Sequence, residues 1–156
     1  MKLIINEMRD FMTDCLFCAI KEEQIPARKI YEDDTVFAIM DISQVTPGHT
    51  LVIPKKHVRN IFDYDSELAA NVFSRLPLIA KAIKAHNKEV KGVNILVNNE
   101  EVAYQTVFHS HIHVVPRYSS EDDFGLQFAD HSDDYSDDEL DAIKQQLIQA
   151  IEEETA

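Results

Sequence analysis

The chain has 156 residues, 45% hydrophobic and 28% charged, which suffices for one domain that buries its own core without disulfides. No apolar run approaches the roughly 20 residues of a membrane-spanning helix, and Met1-Lys2-Leu3-Ile4-Ile5-Asn6 is too short an apolar start for a secretory signal, so a cytoplasmic protein with no membrane partner is expected. The net charge of −13 argues against nucleic acid as a partner, yet residues 1–120 hold 15 acidic against 14 basic residues while residues 121–156 hold 13 acidic residues and Lys144 alone, so a phosphate-bearing small molecule is not excluded.

Residues 1–12 lack periodicity and read as an N-terminal extension, and residues 13–120 read as the main domain. Cys15 and Cys18 enclose too short a loop for a disulfide to add much stability, which leaves zinc, redox exchange or two buried thiols. Residues 29–31, 35–40 and 50–53 are β-branched or aromatic and are separated by the turn formers Asp33-Asp34 and Pro47-Gly48, which predicts antiparallel strands. From Asp65 or Ser66 onward, Leu68, Val72, Leu76, Ile79 and Ile83 recur every three or four positions, the apolar stripe of a long helix ending before Gly92. Pro77 would cost about 3 kcal/mol in an ideal helix interior, which predicts a kink or two shorter helices.

Residues 93–97 and 107–115 predict two more strands of the same sheet. Ser136 and Glu139 have capping-box spacing ahead of Leu140, Ile143, Leu147 and Ile151, so residues 121–156 read as an acidic segment of the same domain that closes with a helix. The expected class is α+β, about five antiparallel strands with one long helix and a C-terminal helix. Gly48, Gly92 and Gly125 cannot build a glycine-rich phosphate loop, so any nucleotide must be held differently.

His109, His111 and His113 alternate with Ser110 and Ile112. On a strand such positions share one face at steps of roughly 6.6 Å, whereas on a helix His111 would point away from the other two. Ile112, Val114 and Val115 favour the strand. Three imidazoles make poor packing, since each carries two nitrogens that need partners when buried; a solvent-facing ladder is the bland alternative, and a shared face is what site chemistry requires. Imidazole, with an ordinary pKa of about 6.5, is mostly neutral at pH 7 and can attack phosphorus without a cysteine or serine.

These alternating histidines followed by apolar residues make the sequence similar to the histidine triad family. The likeness extends through Asp41-Ile42-Ser43, Gly48-His49-Thr50-Leu51-Val52-Ile53-Pro54-Lys55-Lys56-His57, Asn98 and Gln105-Thr106-Val107, about residues 14–118. The resemblance implies the family's fold, a homodimer with a continuous sheet, and hydrolysis at the α-phosphate of adenosine phosphoramidates, dinucleoside polyphosphates or similar purine nucleotides. It implies that His111 forms a covalent nucleotidyl-histidine that water then hydrolyses, within a catalytic set of His109, His111 and His113. It also implies that His113 and Gln105-Thr106 meet the α-phosphate and that Asp41 binds the ribose hydroxyls, with Ile42, Asn98 and Val107 completing the nucleotide site. Without it, Asp41 could equally stabilise a turn and Asn98 end a strand. One departure is Tyr104, where the family often has glycine; this leaves the close backbone approach of the phosphate loop open.

For the cysteines the resemblance implies a structural zinc on Cys15, Cys18, His57 and His109, with His49 as the rival fourth ligand and no organic cofactor. His86 and His131 read as bystanders. Two other functions fit the motif: a nucleotide-binding regulatory module with little turnover, and a metalloenzyme with all three triad histidines on a catalytic zinc, which would require side chains about 6.6 Å apart at their backbones to converge.

Overall fold

The computed structural model describes residues 14–155 and divides the chain after Gly125 into two compact units. The expected N-terminal extension, residues 1–12, lies outside the described residues.

In the first unit a short helix α1 (Leu16–Lys21) precedes strands β1 (Lys29–Glu32), β2 (Val36–Met40) and β3 (Thr50–Pro54), then helices α2 (Ser66–Phe73) and α3 (Leu76–His86), then strands β4 (Gly92–Val97) and β5 (Ile112–Arg117). The five strands form one antiparallel sheet in the order β1-β2-β3-β5-β4. Alternation along the central strands sorts side chains onto two faces. Val36, Ala38, Val52, Ile112 and Val114 face α2 and α3. Phe37, Ile39, Leu51 and Ile53 pack on the other side with Phe17 and Ile20 of α1. Strands β2 and β3 are therefore covered on both faces, which is why they read as unbroken apolar runs.

The stripe Leu68, Val72, Leu76, Ile79 and Ile83 is buried against the sheet, each side chain stabilising the fold by about 1.5–3 kcal/mol. The stretch forms two helices, one of the two outcomes that Pro77 predicted. Pro77 sits in the first turn of α3, where its missing N–H costs no intrahelical bond. The Asp65 carboxylate caps α2 by accepting from the Leu68 amide at 2.7 Å.

The last strand also differs from expectation, starting at Ile112 rather than Val107. Upstream, backbone polar groups find partners outside the ladder: the Ser110 amide donates to the Val58 carbonyl at 2.8 Å, and the Val107 carbonyl accepts from Gln105 Nε2 at 3.1 Å. His109 and His111 thus precede the strand and only His113 lies in it.

The second unit contains helix α4 (Asp137–Thr155). Its capping box forms as predicted, with the Ser136 amide donating to Glu139 Oε2 at 2.8 Å and the Glu139 amide donating to Ser136 Oγ at 3.3 Å. Among the described residues, no helix is long and apolar enough to cross a membrane.

Candidate functional site

A cleft of about 540 Å³ opens on the α1 side of the sheet, within the usual size range of small-molecule sites. Leu16, Phe17, Ile20 and Ile25 line one wall. Asp41, Ile42, Asn98, Thr106, Val107, His111 and His113 also line it, together with His49. Gln105 and His109 do not. The sequence reading placed both at the chemistry, and the structure turns both side chains inward, where each is almost fully buried.

His111 is held in one orientation. Its Nδ1 lies 2.8 Å from the His109 carbonyl oxygen, which can only accept, so Nδ1 carries the proton and Nε2 keeps its lone pair. The ring meets Phe17 edge-on at 5.1 Å and His113 at 5.1 Å between centroids. Burial holds the His111 pKa below its ordinary value, against the opposing pull of the His109 carbonyl and Asp41. Burial, reinforced by His111 and His49, pushes His113 down to about 4. Both rings are therefore neutral near pH 7.

His49 was expected, if anywhere, at the metal, and stands instead in the cleft. The register pairs Leu51 with His113, so His49, two residues before Leu51, falls on the same face and reaches His113: Nε2 to Nδ1 is 2.9 Å. The same Nε2 lies 3.7 Å from Asp41 Oδ2. Burial raises the Asp41 pKa, but hydrogen bonds from the Ser43 hydroxyl and amide and the nearby imidazoles outweigh it and leave a carboxylate held below its usual range. His49 Nδ1 is buried and finds no partner among the described residues.

Gln105 anchors the loop that carries Thr106. Its Nε2 donates to the carbonyls of Arg59 at 2.7 Å and Val107 at 3.1 Å, and its Oε1 accepts from the Glu100 amide at 2.8 Å. Glu100 in turn receives Arg59 in a two-point ion pair, Nε to Oε1 at 3.0 Å and NH2 to Oε2 at 2.7 Å. Tyr104 adopts the left-handed conformation that glycine favours (φ 67°), so the loop makes this turn with a full side chain in place.

Behind the cleft, Cys15, Cys18, His57 and His109 bring four donor atoms within 4.8 Å of one another, a group that could bind a metal ion. Cys15 Sγ is 3.3 Å from His109 Nδ1, and Cys18 Sγ is 3.3 Å from His57 Nδ1 and 3.6 Å from His109 Nδ1. A tetrahedral zinc with ordinary Zn–S and Zn–N bonds spans S···N edges of about 3.6 Å, so the donor set fits. His109 Nε2 donates to the Pro54 carbonyl at 2.8 Å, which leaves the Nδ1 lone pair facing the sulfurs and fixes the tautomer a metal needs. Burial lowers His109 to about 4 and raises Cys18 to about 11; a bound cation would oppose the second shift and favour the thiolate. The imidazoles of His111 and His113 lie outside this group.

Residues 22–120 match the HIT domain model. The chain belongs to the HIT domain family. It is 45% identical over 138 residues to the protein named hit of Bacillus subtilis, covering 88% of this chain and 94% of that one. It is also 34% identical over 137 residues to the adenosine 5′-monophosphoramidase hnt1 of Schizosaccharomyces pombe, covering 88% and 98%. A crystal structure of a HIT family member from B. subtilis superposes with a TM-score of 0.83 at 47% identity, covering 86% of this chain and 95% of that one. A Zn-bound histidine triad family protein of Mycobacterium smegmatis superposes with a TM-score of 0.69 at 38% identity, covering 89% and 99%. The five-stranded sheet with its accompanying helices is thus the HIT fold, and binding or hydrolysis of nucleotides is the activity associated with this HIT domain at the level of the family.

Proposed function

We propose that this HIT domain hydrolyses adenosine phosphoramidates, dinucleoside polyphosphates or related purine nucleotides at the α-phosphate, with His111 as the nucleophile. The observation that carries the reading is the single tautomer of His111: Nδ1 is tied to the His109 carbonyl and Nε2 is the free, neutral nitrogen of a ring that lines the cleft. The Nε2 lone pair forms a bond to phosphorus as the bond to the leaving group breaks and takes its electron pair with it. The Nδ1 contact to a carbonyl favours the positive charge that develops on the ring. Water then attacks the nucleotidyl-histidine, releasing the nucleoside monophosphate and regenerating His111.

Around this centre, Thr106 offers a hydroxyl and His113 a ring nitrogen to the phosphate, with His49 fixing the proton on the His113 ring. Asp41 accepts from the ribose hydroxyls, while Ile42, Asn98 and Val107 border the nucleoside. Gln105 serves through its hold on the Thr106 loop, and His109 through its carbonyl. Cys15, Cys18, His57 and His109 hold a structural zinc, a role supported by the donor geometry and by the zinc reported for the M. smegmatis relative. Two free thiols at such a cluster suit a reducing, cytoplasmic compartment. β4 ends the sheet, and Ile95 on it is 46% exposed, which supports a homodimer that continues the sheet across two copies.

Replacing His111 by alanine tests the chemistry. Turnover of an adenosine phosphoramidate should vanish while AMP affinity stays within about tenfold, because the nucleophile is lost and the ribose contacts are kept. Mass spectrometry of rapidly quenched wild-type protein should find the nucleotidyl adduct on His111. Near-normal turnover by the variant would refute the mechanism, and AMP binding without turnover by the wild type would favour a binding module.

A further inference from the structure

Phe17 lies between the two cysteines and faces the cleft. Helix α1 has six residues, too few to persist alone, and of the four donor residues Cys15 caps it and Cys18 lies in its first turn. Cys15 is the N-cap, its Sγ accepting from the Cys18 amide at 3.4 Å. The Phe17 ring is 3% exposed and meets His109 edge-on at 5.8 Å and 86°, and His111 at 5.1 Å and 64°. Both centroid distances fall in the range of about 4.5–7 Å in which aromatic rings attract edge-to-face. Leu16, Phe17 and Ile20 of this helix form one apolar wall of the cleft. His109 joins the two regions a second time, since its ring faces the sulfurs while its carbonyl holds His111 Nδ1.

We propose that Phe17 couples the Cys15–Cys18–His57–His109 cluster to the nucleotide cleft, so that zinc and nucleotide each strengthen the binding of the other; the proposal rests on the nucleotide and zinc readings above. Closing the four donors on an ion fixes α1 against His109. That seats the Phe17 ring on His111 and completes the apolar wall. A nucleotide packed on Leu16, Phe17 and Ile20 holds α1 in the same place and so pre-assembles the donor set. Linkage requires the factor to be equal in both directions. Phe17 is thus a positioning residue that contacts no metal.

The test measures zinc affinity by competition with a chromophoric chelator, with and without saturating AMP, and AMP affinity by calorimetry on zinc-loaded and zinc-stripped protein. Circular dichroism follows the stripped state. About one zinc per chain is expected, and AMP should raise zinc affinity at least about fivefold, with zinc raising AMP affinity by the same factor. Phe17→Ala should keep one zinc and lower the factor at least about twofold, the remainder passing through His109, and Phe17→Leu, which retains most of the packing volume, keeps the test usable if the alanine variant does not fold. Absence of bound zinc would overturn the metal reading and this inference together. Zinc and AMP that bind with independent affinities would overturn the inference alone, as would a factor unchanged in both Phe17 variants. Outright loss of secondary structure on stripping would assign the linkage to global folding and overturn the local route.

Discussion

Replacing Gln105 by alanine should destabilise the protein by about 3–5 kcal/mol, a cost the structure assigns to backbone groups rather than to the side chain's own volume. The glutamine is 2% exposed and serves three main-chain partners: the carbonyls of Arg59 and Val107 and the amide of Glu100. Truncation leaves all three without a partner. A desolvated orphan costs about 1–3 kcal/mol, but the Arg59 and Glu100 side chains are 49% and 40% exposed, so water reaches that end and holds two of the three near the lower limit. The loop also carries strain for the network to hold, since Glu100 and Tyr104 both sit at positive φ, 74° and 67°. Urea unfolding at neutral pH should show a lower midpoint with an unchanged slope. Because Thr106 follows directly, kcat should fall as well. A loss below about 1 kcal/mol would mean that the network does not hold the loop, and the account of Gln105 as an anchor would be wrong.

At Tyr104, which is 83% exposed, the left-handed backbone should make Tyr104→Gly more stable than Tyr104→Val by about 2 kcal/mol; equal urea midpoints would refute the strain. His113, lowered to about 4 by burial, binds fewer protons folded than unfolded as pH falls from about 6.5 toward 4, so its contribution is intact above that window and is lost across it. Unfolding free energies measured across this range should therefore fall more steeply in the wild type than in His113→Gln, and parallel curves would show that His113 is not held neutral by the fold.

The elements of this protein are written locally. The apolar stripe from Leu68 to Ile83 sets a helical period of three or four, and the alternation of Ile112 and Val114 with His113 sets a period of two, because neighbouring side chains alone decide which face an element can bury. The Ser136–Glu139 capping box is legible for the same reason, since both partners lie within one turn. Pro77 announced a break, and its place in the first turn of α3 follows because N–H groups there have no intrahelical acceptor to lose. The cleft and the metal cluster are different, because their members are distant in the chain. Cys15 and His109 are 94 residues apart and His49 and His113 are 64 apart, so what they meet depends on the order and register of β3 and β5, which no local pattern encodes. The resemblance to a known family supplied His57 and His109 for the cysteines, but left His49 uncertain and put Gln105 at the phosphate. Tertiary structure set His49 beside His113 and turned the Gln105 side chain inward, where three backbone groups take up its amide.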